Sequence, residues 1–98
     1  MTITPLKNGS ELTLKLEGRL DTITAPELEE ELKRSLDDVE SLIFDLRALD
    51  YISSAGLRVL LSAQKRMNVK GSMKVTGVSE IIMEIFDVTG FSDILTIE

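Results

Sequence analysis

Two adjacent serines stand ahead of a small-residue pair in the stretch Ser53-Ser54-Ala55-Gly56-Leu57. From Leu57 onward the apolar spacing becomes helical. Leu57, Leu60, Leu61 and Met67 share one face, and Arg58, Ser62, Lys65 and Arg66 share another. The serines therefore stand where a helix begins. Ser53 is expected as the N-cap, its oxygen accepting a bond from an orphan backbone N–H. Ser54 then takes the first helical position with its hydroxyl turned outward, unshielded by Ala55 or Gly56. Such a hydroxyl can attack a substrate, or it can receive a group from another enzyme. Attack needs a base, and the chain has no histidine and no cysteine. That removes every Ser-His-Asp triad and the usual nitrogen and thiolate metal ligands. No lysine or carboxylate is placed by local spacing to act instead. We therefore expect no catalytic residue, no metal site and no cofactor. Gly56 is less favourable than alanine in a helix by about 1 kcal/mol. Its presence points to a close approach, either by a partner's backbone or by the loop around Asp21. On the first alternative, a tryptophan at position 56 would block a partner and leave the domain folded.

The elements that hold these residues follow from composition and periodicity. Ninety-eight residues make one domain, 1–98, long enough for a single core. The net charge of −6 disfavours nucleic acid and anionic membranes as direct partners. No apolar run reaches roughly 18 residues, so no membrane insertion is expected. The N-terminus lacks a signal-peptide pattern. The absence of cysteine excludes disulfides and favours a cytoplasmic setting.

Along the chain, residues 2–6 fit an edge strand, because Pro5 cannot donate to a ladder. Asn8-Gly9 is a hairpin turn signal. Leu12, Leu14 and Leu16 alternate with Thr13, Lys15 and Glu17, which predicts a half-buried strand. Residues 18–24 read as a loop, and Thr24 with Glu27 fits a capping box for a first helix carrying Leu28, Leu32 and Leu36. Residues 41–46 read as a strand buried on both faces. The key helix is expected over about 54–67, with Gly71 beyond its end. Met73, Val75 and Gly77 fit a further strand. Ser79 fits the cap of a third helix, with Ile82, Ile85 and Phe86 at core spacing, Met83 and Val88 at the core or its margin, and Gly90 past its end. Residues 93–97 fit a last strand. The order is β-β-α-β-α-β-α-β, an α/β fold with a mixed sheet, mostly parallel after an antiparallel N-terminal hairpin.

At this point the residues resemble a known family. Leu16-Glu-Gly-Arg-Leu-Asp21-Thr-Ile-Thr-Ala25, Leu42-Ile-Phe-Asp45-Leu46, Tyr51-Ile-Ser-Ser54-Ala-Gly56-Leu57 and Val88-Thr-Gly90-Phe91 are similar, in order, to the STAS domains. They resemble above all the bacterial anti-anti-sigma factors, also called anti-sigma factor antagonists. Transporter-linked STAS domains share much of the framework. The resemblance implies a STAS-type single domain that acts in signal transduction and transcription regulation. It implies a phosphoprotein whose phosphoacceptor is Ser54, two residues before the Gly-Leu pair. Ser53 replaces the aspartate usual there and is the competing acceptor. Asp21 matches a loop aspartate near the acceptor that contributes to the partner surface. The implied partners are an anti-sigma factor of the serine-kinase type and a PP2C-type phosphatase. The expected partner surface comprises Asp21, Thr22, Thr24, Ser53, Ser54, Gly56 and Arg58. Many relatives carry one more helix after the last strand, so one flank of the sheet is expected to be less covered. The alternative is a constitutive STAS subunit of a transporter or other regulatory complex, with no phosphorylation switch.

Overall fold

The alternating leucines of the second strand set the architecture. In the computed structural model, which describes residues 1–98, β1 (Thr2–Asn8) and β2 (Glu11–Leu20) form an antiparallel hairpin closed at Gly9, whose φ of +65 suits glycine. α1 (Ala25–Ser35) follows, then β3 (Ser41–Ile52), α2 (Ser54–Lys70), β4 (Ser72–Thr76) and α3 (Glu80–Thr89). The sheet order is β1-β2-β3-β4, with β2, β3 and β4 parallel.

Register carries the core across the sheet. Leu12, Leu42 and Met73 lie in one row, and Leu14, Phe44 and Val75 in the next; all six are buried. Side chains alternate across a strand, so these rows point to the same face. The helices supply the other side of the core: Ala25, Leu28 and Leu32 from α1, Leu57, Leu60 and Met67 from α2, and Ile82 and Phe86 from α3. Burying a leucine or phenylalanine of this kind contributes about 1.5–3 kcal/mol. The intervening positions, Thr13, Ile43 and Lys74, then Lys15, Asp45 and Thr76, are half-buried or exposed. β3 is thus packed on one face only, not on both, because no helix covers the second face.

Other boundaries also differ from expectation. β2 continues through Gly18, Arg19 and Leu20, where a loop was expected. β3 runs on to Ile52, six residues beyond the expected end at Leu46. The reason is two irregularities in its pairing with β2, between Lys15 and Glu17 and between Gly18 and Arg19. Each sets one extra β3 residue against β2. An inserted residue breaks the two-residue period. Buried Leu46, Leu49 and Ile52 therefore recur every third residue, and alternation fails as a signal. α2 extends to Lys70, and Gly77 lies outside β4. The expected strand over 93–97 is reduced to a single bridge. Phe91–Asp93 forms a 3-10 turn, and only Ile97 pairs, with Val75. Val75 N–H donates to Thr96 O at 2.8 Å, and Glu98 N–H to Val75 O at 2.9 Å. Val88 is 87% exposed, well outside the core margin. Ser79 and Gly90 are placed as expected: Ser79 Oγ accepts from Ile82 N–H at 3.3 Å, and Gly90 ends α3 in the left-handed conformation with φ 81.

Candidate functional site

The parallel pairing of β2 with β3 builds the site. Leu20 lies opposite Ile52, so the chain leaves both strands at the same end of the sheet. Ser53 N–H then donates to Leu20 O at 2.9 Å, which ties the start of α2 to the end of β2.

The segment 21–24 is a turn held by its own side chains. Asp21 Oδ1 accepts from the N–H of Ile23 at 3.0 Å and of Thr24 at 3.1 Å. Thr24 Oγ1 accepts from Asp21 N–H at 2.8 Å and donates to Arg19 O at 2.8 Å. These bonds favour the ionised carboxylate. The Thr24 amide foremost, then the Thr24 hydroxyl, the Ile23 amide and the Arg19 charge, outweigh desolvation and hold the Asp21 pKa below its ordinary value. The expected capping box is absent. Thr24 has helical dihedrals of φ −93 and ψ −20, and its side chain makes no capping bond to α1. Asp21 organises the turn in its place.

This turn projects Ile23 into solvent, 84% exposed. Thr22 is also exposed, while Asp21 and Thr24 are half-buried. Arg19 links the turn to β3: its Nε lies 3.6 Å from Asp21 Oδ2, and its guanidinium stands 4.4 Å from the ring centroid of Tyr51. Such a cation over an aromatic face contributes about 0.5–1 kcal/mol when exposed.

At the head of α2, Ser53 has extended dihedrals, φ −99 and ψ 177, and its carbonyl accepts from Leu57 N–H at 2.9 Å. Its side chain does not cap the helix as expected. Ser53 Oγ is buried and has no hydrogen-bond partner. Ser54 is the first helical residue and is exposed. The amides of Ser54 and Ala55 have no acceptor further up the helix. Arg58 is exposed one turn later, outside every ion pair of the chain.

Gly56 faces inward. It is buried, and a Cβ there would lie 2.6 Å from Leu20 Cγ, 2.9 Å from Ile52 Cγ1 and 3.0 Å from Leu20 O. The close approach is therefore internal. A tryptophan at this position has no room in the folded domain, which corrects the expectation of a folded, partner-blocked variant.

The structure thus brings Asp21, Thr22, Thr24, Ser54 and Arg58 to one end of the sheet, with Gly56 as the packing contact beneath. Periodicity missed three neighbours: Arg19, Ile23 and Tyr51. An isoleucine inside a polar turn was a readable signal for Ile23. The Arg19–Tyr51 pair depends on register. Chemically, the site presents a hydroxyl beside free amides and the positive end of α2, which favours an added anion.

Known proteins resemble the chain along nearly its whole length. BtrV of Bordetella bronchiseptica, which carries the name of an anti-sigma factor antagonist, is 35% identical over 99 residues, spanning 99% of this chain and 85% of BtrV. The anti-sigma-B factor antagonist of Bacillus subtilis is 30% identical over 92 residues, 93% of this chain and 84% of the relative. The crystal structure of an anti-sigma factor antagonist from Mycobacterium paratuberculosis shares the fold with a TM-score of 0.88 at 21% identity, over 98% of this chain and 83% of that one. The family model of the STAS domain matches residues 3–98. The chain belongs to the STAS domain family.

Proposed function

We propose that this protein is an anti-sigma factor antagonist switched by phosphorylation of Ser54. The observation that carries the reading is Ser54 itself. It is the exposed first residue of a 17-residue helix whose start is tied to the end of β2 by the Ser53–Leu20 hydrogen bond. Unmodified, this end of the sheet binds an anti-sigma factor of the serine-kinase type and frees a sigma factor. The Asp21–Thr24 turn and the exposed start of α2, including Arg58, form the contact. The partner transfers phosphate from its own ATP to Ser54, and a PP2C-type phosphatase removes it. The domain acts in the cytoplasm; no helix is long and apolar enough to cross a membrane.

The physical basis of the switch is a change of sign between two settings. Phosphate adds about −1.5 to −2 charges at pH 7. At the head of α2 those charges meet free amides and the helix dipole, worth roughly 0.3–1 kcal/mol when exposed. Inside a close protein contact the same charges are poorly paired and desolvated, which costs several kcal/mol. Intact mass after incubation with ATP and candidate serine kinases from the same genome tests the reading. A single added phosphate lost in Ser54→Ala is the expected result. Modification that persists in Ser54→Ala overturns the assignment, and tight binding of the partner by phosphorylated protein overturns the switch.

A further inference from the structure

Helix α3 is apolar on two faces. Ile82 and Phe86 are fully buried against the sheet. Ile81 and Val88 point away from it, 61% and 87% exposed, with Ile85 half-buried between them. At 3.6 residues per turn, positions 81, 85 and 88 fall on one stripe. The far half of that stripe, Ile85 and Val88 flanked by Glu84 and Thr89, is an open patch on the surface of α3 itself. Glu80, Glu84 and Asp87 are all exposed and run along one side of the stripe, and α3 contains no basic residue. A single exposed apolar residue is ordinary on a protein surface, whereas an aligned apolar strip with a polar rim marks an interaction surface.

We propose that this face of α3 is a docking surface for a basic amphipathic helix of a partner protein. The partner's apolar residues cover the Ile81–Ile85–Val88 stripe, and its lysines or arginines lie beside Glu80, Glu84 and Asp87. Charge selects this occupant. In an antiparallel two-fold pair of α3 helices both acidic rows fall on the same side of the contact and repel, so that pairing of two copies is disfavoured. Anionic lipid is disfavoured for the same reason. A basic helix meets the apolar strip and the carboxylate row together, packing helix against helix with anchors at three- and four-residue spacing.

The test uses the full chain and two synthetic helical peptides. Both carry leucines at the same helical spacing; one has lysine at its polar positions, the other glutamate. Nuclear magnetic resonance of the backbone amides and the methyl groups reads where each binds. The lysine peptide is expected to shift Ile81, Ile85 and Val88, with an affinity that falls as salt is added. Val88→Lys should weaken that binding by at least about tenfold, and Glu84→Lys with Asp87→Lys by a similar factor, with the melting temperature held. Equal binding of the glutamate peptide overturns the charge argument. Shifts centred on Glu27, Glu29 and Glu30 of α1, or on the Asp21 turn, move the surface elsewhere and overturn the proposal, as does the absence of any shift. Concentration-dependent dimerisation that Val88→Lys abolishes gives the stripe to a second copy and overturns it too.

Discussion

A Cβ on Gly56 would lie 2.6 Å from Cγ of Leu20 and 3.0 Å from its carbonyl oxygen, the same oxygen that accepts from Ser53 N–H. Two parallel strands end side by side there, and the helix that follows the second leans on the end of the first.

That contact sets the sign of a mutation. In an open helix, glycine to alanine gains about 1 kcal/mol. Here the added methyl overlaps a backbone oxygen and a buried side chain, and overpacking of this kind costs about 1–3 kcal/mol. Gly56→Ala is expected to destabilise the domain in urea unfolding, and Gly56→Trp to leave no cooperative transition. A rise in stability for Gly56→Ala would show that Leu20 yields more easily than the geometry implies.

Ser53 and Ser79 make a matched pair. Ser79 caps α3 through its side chain, so Ser79→Ala should lose about 0.5–2 kcal/mol. Ser53 Oγ is buried with no partner, and an unmet hydroxyl itself costs about 1–3 kcal/mol. Ser53→Ala should therefore be neutral or stabilising. Equilibrium unfolding of both variants compares them directly, and a loss at position 53 as large as at 79 contradicts the buried, uncapped geometry.

The Asp21 carboxylate is held ionised by the Thr24 and Ile23 amides and the Thr24 hydroxyl, so its pKa lies below the ordinary 3.8. For a carboxyl depressed on folding, the contribution to stability is complete above its unfolded pKa. It is lost as the pH falls through the lower folded pKa. The turn should thus be intact at neutral pH and loosen only below the usual carboxylate range. The amide resonances of Ile23 and Thr24 should titrate with a midpoint under 3.8, and Asp21→Asn should abolish that titration. A midpoint above this value means the bonds to Asp21 are weak in solution.

Ile23 is 84% exposed on a turn whose backbone is tied at both ends. Ile23→Glu should leave the melting temperature unchanged and weaken binding of the anti-sigma partner by about tenfold or more, as for an apolar anchor at an interface. Calorimetric titration against that partner measures it. Unaltered affinity would place the contact away from the turn.

Phosphorylation of Ser54 should preserve a cooperative melt and reduce partner affinity by a hundredfold or more, about 2.8 kcal/mol at 1.4 kcal/mol per tenfold. Ser54→Asp, with one charge and fewer acceptor oxygens, should reproduce only part of the loss. Paired melting and binding measurements on the modified and unmodified protein check both statements. Loss of the melt in the phosphorylated form would make the switch an order-to-disorder transition.

The sequence by itself determined the leucine alternation of β2, the inward placing of Leu57, Leu60 and Met67 on α2 though not of Leu61, which is half-buried, the Asn8-Gly9 turn, the caps of α3 and the presentation of Ser54 as the first residue of a helix. Those features depend on residues within one or two turns of each other, where backbone geometry and side-chain periodicity act alone. Only the tertiary structure decided what depends on register. Two extra residues in β3 carried that strand to Ile52 and replaced a two-residue burial period with a three-residue one, which no local pattern predicts. The same register set Leu20 beneath Gly56 and made an internal contact of a glycine whose sequence context fits a partner contact equally well. It also stacked Arg19 on Tyr51 across the two strands. The roles of Thr24 and Ser53 depended on competition among nearby partners. Thr24 looked like a cap but bonds back to Asp21 and Arg19, and Ser53 lies against β2 with its backbone satisfied and its hydroxyl buried. Val88 read as a residue of the core or its margin, and Ile81 carried no reading. The sheet accepts only one face of α3, and that fact of packing left them outside.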